Sequence, residues 1–309
     1  KNKLKNIKNL KNVKFFSKFS DLLFKKNDLV IICTPHNVTK KLSLIFLKKG
    51  SNLLVEKPFG ISSKEAKQLV SFRKRRQKIH VGFNFRFFKS INLLINDIRL
   101  NKFGKIISVN LIFGHGHSPS MKKSWKLNPR IVGGGSLLDP GVHLLDLILQ
   151  IAASSKIKII GGSKWRGFWN KNLDEEVHLL LSDKKNTIFN LQTTIVRWKS
   201  SFRIEVNGTK AYGIVYGRGR SYGRQNYIFA KKWAWLTLGK QAKDEKYIVK
   251  NDNCDDSFLI ETALALGKKY FEMHKLRKFI YGVNCNHSQA IQVMDLYDKC
   301  KKYLENKYL

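Results

Sequence analysis

The sequence predicts an α/β chain. A parallel sheet wound with helices comes first, and an α/β domain with a large, mainly antiparallel open sheet follows. Three observations carry this. Apolar runs at 29–33, 53–55 and 79–83 each stop at polar residues, with room for one helix between successive runs. That spacing reads as βαβαβ with a parallel sheet. Downstream, Phe202, Ile204 and Val206 alternate with Arg203 and Glu205, the pattern of antiparallel strands with one covered face. Between the two patterns an apolar helix follows Gly133-Gly134-Gly135. Ligands of parallel sheets bind beyond the carboxyl ends of the strands, so the polar stops at Thr34-Pro35-His36, Glu56-Lys57-Pro58 and Asn84-Phe85-Arg86 mark a candidate site.

Taken in order, residues 1–27 are a basic lead-in in which Phe15, Phe16, Phe19, Leu22 and Leu23 can pack. The first strand follows Asp28 and contains Cys33, expected to be buried. Val38, Leu42, Ile45 and Phe46 then fall at helical spacing, and Gly50 stops that helix. After the second strand, Ser62-Ser63-Lys64-Glu65 forms a capping box that starts the next helix. The third strand closes the first domain, which is expected to span 1–86, with a second domain over 87–309. In the second, a helix is expected around 88–100, a strand at 105–113 and the apolar helix directly after the three glycines. Phe189, Leu191 and Ile195 alternate with Asn190, Gln192 and Thr194. Asn207-Gly208 supplies a hairpin turn into a strand through 211–216. Helices at about 256–272 and 286–305 close the chain.

Composition narrows the function classes. At 309 residues the chain can bury two cores, and 43% hydrophobic residues with only 5 prolines indicate a globular protein. No apolar run reaches the roughly 18 residues of a membrane-spanning helix. The start, Lys1-Asn2-Lys3-Leu4, has neither an initiating Met nor a signal-peptide core, so the sequence reads as a fragment or a product that has lost its beginning. Cys33, Cys254, Cys285 and Cys300 show no C-x-x-C pairing, which favours reduced thiols and a cytoplasmic location over a disulfide framework or zinc site. The 59 basic and 22 acidic residues give +37. A nucleic-acid binder is the obvious rival class. The lysines are scattered over almost every element rather than gathered on one, which predicts a broadly basic surface and no specific nucleic-acid partner.

The apolar helix carries the second informative pattern. Leu137, Leu138, Val142, Leu144, Leu145, Leu147, Ile148, Leu149 and Ile151 surround it, while Asp139, His143 and Asp146 recur at i, i+4 and i+7 along one face. A buried helix with one ionisable stripe faces a polar cavity, a polar element or a ligand. The bland alternative is a core histidine bonded to Asp139. Pro140 suits a helix start, which puts Asp139 and His143 in or beside the first turn, near the positive dipole end.

On these residues the chain resembles the Gfo/Idh/MocA (glucose–fructose oxidoreductase/inositol dehydrogenase) oxidoreductases. The likeness rests on Glu56-Lys57-Pro58, on the run from Gly82 to Phe87, on the run from Gly133 through Asp139 and His143 to Asp146, and on Asp256-Ser257-Phe258 with Glu261. It implies a Rossmann domain followed by an open-sheet α/β domain, and hydride transfer between NAD or NADP and a sugar, cyclitol or sugar-nucleotide-like substrate. By the same resemblance Lys57, Asp139 and His143 are the catalytic residues. Lys57 would contact the reacting oxygen, His143 would exchange the proton and Asp139 would orient the substrate or the imidazole. Thr34, Pro35, His36, Glu56, Lys57, Asn84 and Arg86 would contact the cofactor. One departure stands out: the chain holds no G-x-G-x-x-G phosphate-binding turn, which predicts weak cofactor binding unless a longer protein supplies it. The resemblance also implies a homo-oligomer, and an open sheet over residues 105–235 suits face-to-face self-association. A third possibility is an inactive remnant acting as a scaffold.

Weaker signals remain. The stretch from Gly217 to Arg224, Gly-Arg-Gly-Arg-Ser-Tyr-Gly-Arg, is a flexible sheet connection with solvated arginines, a contact to an anionic substrate, or an RNA-binding segment. His115-Gly116-His117 lacks helical spacing and a carboxylate or Cys partner, so no metal role is assigned. Trp125, Trp165, Trp169, Trp198, Trp233 and Trp235 are expected to pack or to form an interface.

Overall fold

A computed structural model describes residues 16, 28–152, 156–233, 245–252, 257–266 and 283–306. Except for Phe16, residues 1–27 lie outside the described residues, as do Trp235, Cys254, Asp256 and the whole of 267–282.

Strands β1 (Leu29–Ile32), β2 (Asn52–Glu56) and β3 (Ile79–Gly82) are parallel and neighbouring. Helix α1 (His36–Lys48) connects the first pair and α2 (Ser63–Ser71) the second. Leu53, Val55 and Val81 are fully buried and Ile79 nearly so; each such side chain contributes about 1.5–3 kcal/mol by leaving water. Gly50 adopts φ +91° beyond the end of α1, where a side chain would be strained. At the start of α2, Ser62 Oγ accepts from Glu65 N at 3.3 Å, while the Glu65 carboxylate reaches back to Ile61 N at 2.6 Å. The reciprocal arm of the capping box thus lands one residue early.

Cys33 corrects one expectation. It lies just past β1 and is exposed, because β1 is the edge strand of the described sheet and Ile31 beside it is half exposed.

A 3-10 turn (Asn84–Phe87) leads to α3 (Lys89–Arg99) and β4 (Ile106–Gly114). Short turns and the one-turn helix α4 (Pro129–Val132) follow, then α5 (Val142–Ala152). Strands β5 (Lys158–Trp165), β6 (Glu176–Ser182), β7 (Ile188–Thr194), β8 (Ser201–Gly208), β9 (Ala211–Tyr216), β10 (Gln225–Lys231) and β11 (Lys246–Asp252) complete a sheet of eight. Its order is β11-β10-β9-β8-β4-β7-β6-β5, with β4 and β7 its one parallel neighbour pair. The helix expected directly after the three glycines begins only at Val142. Turns fill the interval: Asp139 N bonds Gly135 O and Gly141 N bonds Ser136 O. Gly135 is required there, since a Cβ would sit 2.1 Å from Asp174 O.

The chain then returns to its beginning. Helix α6 (Ser257–Leu266) packs on the 3-10 turn after β3. The two-residue strand β12 (Cys285–Asn286) pairs antiparallel with β3. Helix α7 (His287–Asn306) lies against α2 on one side and α5 and β5 on the other. One continuous apolar core runs through both sheets, so the end of β2 and the start of α5 are held in a fixed relation.

Candidate active site

Lys57 follows the last residue of β2, Asp139 lies in the turn before α5, and His143 is the second residue of that helix. Lys57 Nζ pairs with Asp139 Oδ1, and Lys126 Nζ stands 3.5 Å from Oδ2. Burial alone would raise the Asp139 carboxyl, but the two ammonium groups hold it well below the usual carboxylate range. The carboxylate is therefore a fixed charge rather than a proton carrier.

His143 is 5% exposed, and its Nδ1 has no hydrogen-bond partner. The Phe85 ring stacks on the imidazole at 4.1 Å and 13°, and the Phe83 ring meets it edge-on at 5.8 Å. Burial pushes the imidazole well below its ordinary range, aided by the Lys57 and Arg218 cations and opposed by Asp139. The ring is neutral and fixed in orientation by aromatic packing.

The run from Gly82 to Phe87 divides its work accordingly. Phe83 and Phe85 hold the imidazole, and Asn84 Nδ2 donates to Ser257 Oγ at 3.1 Å, tying α6 down. Arg86 forms a buried fork on Asp146, Nε to Oδ2 at 2.9 Å and Nη2 to Oδ1 at 2.5 Å, while Nη1 donates to Gln289 at 2.9 Å. The ionisable stripe divides between two of its expected partners. Asp139 and His143 lie toward Lys57, whereas Asp146 is consumed by Arg86, because the turn after β3 brings a guanidinium against that stretch of α5. The guanidinium expected at the cofactor is committed to this pair.

The remaining candidates line the strand ends. Thr34 Oγ1 lies 3.1 Å from Thr39 Oγ1. Pro35 precedes α1, which has no side-chain cap, leaving first-turn N–H groups for water or a ligand. His36 Nδ1 donates to Val132 O at 2.8 Å, with the ring edge-on to Trp125 at 5.7 Å. Glu56 Oε2 accepts from Lys57 N at 3.1 Å, and burial raises its carboxyl.

One group escaped the sequence reading, and two were named only within longer stretches. Lys126 is hidden among many similar lysines. Arg218 reaches the rings of Phe85, Phe113 and Tyr222 from the β9–β10 loop. Glu261, quoted only as part of a motif, is 2% exposed with one carboxyl oxygen unpartnered. Burial first and Glu56 second push its acid from 4.5 up to about 9. An acid raised in this way binds more protons folded than unfolded, so it lowers stability increasingly as pH rises through that window. Glu261→Gln is therefore expected to match the parent near pH ~5 and to exceed it by roughly 1–3 kcal/mol near pH ~8 in denaturant titrations. A gap that does not widen with pH would contradict this.

Comparison with known proteins bears on this geometry. Residues 1–85 match the family model described as "Oxidoreductase family, NAD-binding Rossmann fold", and residues 96–212 match "GFO/IDH/MocA C-terminal domain". The chain belongs to the Gfo/Idh/MocA family. A curated relative, glucose-6-phosphate 3-dehydrogenase of Bacillus subtilis, is 29% identical over 207 residues, covering 62% of this chain. That stretch is 57% of the relative, so the chain spans little more than half of its length. Among solved structures, an aldose–aldose oxidoreductase from Caulobacter crescentus complexed with glycerol superposes with TM-score 0.69 at 16% identity, covering 91% of this chain and 78% of that one. An inositol dehydrogenase homologue from Azotobacter vinelandii complexed with NAD+ gives TM-score 0.69 at 16% identity, covering 90% and 76%. These solved structures share the fold of this chain, in which a parallel-rich sheet is joined to a large, mainly antiparallel one. Among the described residues no helix is long and apolar enough to cross a membrane.

Proposed function

We propose that the protein is an NAD(P)-dependent dehydrogenase acting on a secondary alcohol or ketone of a sugar, cyclitol or sugar-nucleotide-like substrate. The observation that carries this reading is the meeting of the Lys57–Asp139 pair with a neutral, ring-clamped His143. When bound, the nicotinamide supplies the hydride acceptor or donor. Uncapped N–H groups at the start of α1 and the polar strand ends at Thr34, His36, Glu56 and Asn84 are the groups that would hold its reactive half. The unpartnered buried nitrogen of His143 and oxygen of Glu261 mark a site built for more than its own side chains.

The protein's own groups then divide the chemistry. In the oxidative direction the neutral imidazole of His143 takes the hydroxyl proton, a task closed to imidazolium. The Lys57 ammonium donates to the same oxygen and lowers the cost of the negative charge that develops there. Asp139 keeps that ammonium aimed, and its own low proton affinity stops it from competing. In reverse, His143 returns the proton as the carbonyl becomes an alcohol. A second copy covering the outer face of the eight-stranded sheet is the partner this reading expects, since Ile160, Trp165 and Ile188 stand exposed along its edge strand and face.

The test is nicotinamide-linked oxidation of a sugar and cyclitol panel as a function of pH. Because burial holds His143 below the ordinary 6.5, the acid limb of kcat/KM is expected below that value, with a flat profile through neutrality. A limb at the ordinary histidine value would remove His143 from the proton-transfer role. No turnover on any panel member would remove the dehydrogenase reading.

A further inference from the structure

Three strands of the large sheet run in one direction: β4 and β7 are parallel, and β5 is antiparallel to β6, itself antiparallel to β7. Their ends share one edge of the sheet, and the segments that follow them converge there. The segment after β5 is held firmly. Glu175 is fully buried, and its carboxylate accepts from Phe168 N at 2.8 Å, Trp169 N at 2.7 Å and Asn170 N at 2.6 Å. Charge-assisted bonds of this kind are the strong ones, so the backbone that carries the two rings is fixed.

The two rings go opposite ways. Trp169 turns inward: its Nε1 donates to Ile195 O at 3.0 Å, and its ring packs on the small cluster of Met121, Leu127, Val132 and Leu173. Phe168 stands in solvent beside Trp198, from the segment after β7. They are 51% and 68% exposed, with ring centres 5.0 Å apart and planes at 66°. The Trp198 ring lies against Gly116, where a Cβ would sit 2.5 Å from it. Neither ring belongs to an apolar cluster of the described residues, so the core does not account for this exposed aromatic corner. Contiguous exposed apolar surface marks a place where something binds.

The corner adjoins the reaction centre. His117, next to Gly116 in the chain, lines one small cavity together with Asp139 and Lys126. Its ring centre is 6.5 Å from that of Trp169. A ligand whose reacting ring meets Lys57 and Asp139 therefore has the corner on its flank, across His117.

We propose that Phe168 and Trp198 form a ring-binding subsite beside this centre, so that the substrate is a glycoside whose second ring stacks there while the first reacts. The subsite deepens the dehydrogenase reading, on which it rests for the identity of the reacting ring. A sugar ring offers C–H groups and an aryl ring its edge or face, and both suit the negative face of an indole. A second copy of the chain is the rival occupant. Two aromatic side chains bury about 150–250 Å² each, well short of the roughly 800 Å² per partner of a stable interface.

The experiment is calorimetric titration of the whole protein with the methyl and phenyl glycosides of D-glucose, D-galactose and D-xylose and with cellobiose, with and without NADH. The second ring is expected to tighten binding about tenfold over the methyl glycoside of the same sugar. A gain with phenyl glycosides alone assigns an aryl second ring and a gain with cellobiose alone a sugar ring, and either upholds the subsite. Trp198→Ala should bring paired ligands to within about 2-fold of one another, and Trp198→Phe should retain part of the preference. Trp233→Ala removes an equally solvated indole, 62% exposed, beyond the end of β10. That strand is antiparallel to β9, so Trp233 lies at the opposite edge of the sheet, and its loss should leave the preference whole.

Absence of preference in every pair overturns the subsite, as does its full retention in both Trp198→Ala and Phe168→Ala. Equal loss in Trp233→Ala would assign the preference to general aromatic adhesion and also overturn it. A change in the sedimentation of Trp198→Ala relative to the parent would give the corner to a second copy, with the same consequence. The dehydrogenase reading fails separately: ring preference lost in Trp198→Ala, without nicotinamide-linked turnover of any ligand, refutes the reaction and keeps the subsite. Turnover in which the parent shows equal KM for methyl and phenyl glycosides does the reverse.

Discussion

Lys57→Ala is expected to lower nicotinamide-linked turnover by about 10³-fold while leaving the protein folded and the cofactor bound. The size follows from what is removed. A single preorganised donor to a developing oxyanion is worth roughly 10²–10³ in rate, and loss of proton control at the neighbouring base adds to it. The ammonium also acts on both partners described above. It helps keep Asp139 ionised and helps keep His143 neutral. Without it Asp139 retains only Lys126 at 3.5 Å, and the imidazole gains proton affinity. The residual activity of the variant should therefore show an acid limb moved upward in pH relative to the parent. Stability should fall by a few kcal/mol at most, because Lys57 and Asp139 keep only 16% and 18% of their side-chain surface in contact with water, but Lys126 remains beside the carboxylate to offset the lost partner. Lys57→Met, which preserves the aliphatic stem, should match Ala in rate. Turnover within a few-fold of the parent in either variant would remove Lys57 from the reaction.

Much of this site can be read along the chain, and the unread part has a physical cause. Strands whose apolar runs end in Thr34, Glu56-Lys57 and Asn84 announce their carboxyl ends, because a buried parallel strand must stop being apolar where it meets solvent or ligand. The Asp139–His143 spacing announces a shared direction, because α5 is apolar almost everywhere else. Partner choice is different in kind. Nothing local to Asp146 says that Arg86, 60 residues earlier, will take it away from the polar space, and nothing local to Arg218 says that it will turn toward Phe85 while Arg220 and Arg224 do not. Both depend on which side chains the return of the chain brings together. The exposure of Cys33 depends likewise on β1 being an edge, a property of the sheet rather than of the strand. Strand β12, two residues long, carries no periodicity to detect, yet it fixes α7 against the first sheet.

Arg86→Ala is expected to be the most destabilising single change in this centre, by about 3–5 kcal/mol, because it leaves a buried carboxylate without its cation. Arg86 and Asp146 are 4% and 1% exposed, so the lost fork strands a largely desolvated carboxylate, and among the described residues Gln150 remains on Asp146 at 2.9 Å. At roughly 2–4 °C per kcal/mol the midpoint of thermal unfolding should fall by about 6–20 °C. Arg86→Lys should recover little, since one ammonium cannot supply two parallel N–H bonds together with a third to Gln289. The double variant Arg86→Met with Asp146→Leu should be far less damaged than Arg86→Ala, because it removes the stranded charge along with the cation; buried pairs replaced whole are often neutral in stability. The sign of the pH dependence separates this account from loss of packing. In Arg86→Ala the cost is that of a buried carboxylate without its cation, and because burial disfavours the charged form a lower pH relieves it. The deficit against the parent should therefore shrink as pH falls from about 7 toward about 4. A deficit constant over that range would mean that the cost is a cavity rather than a charge, and the double variant would then be no better than the single one.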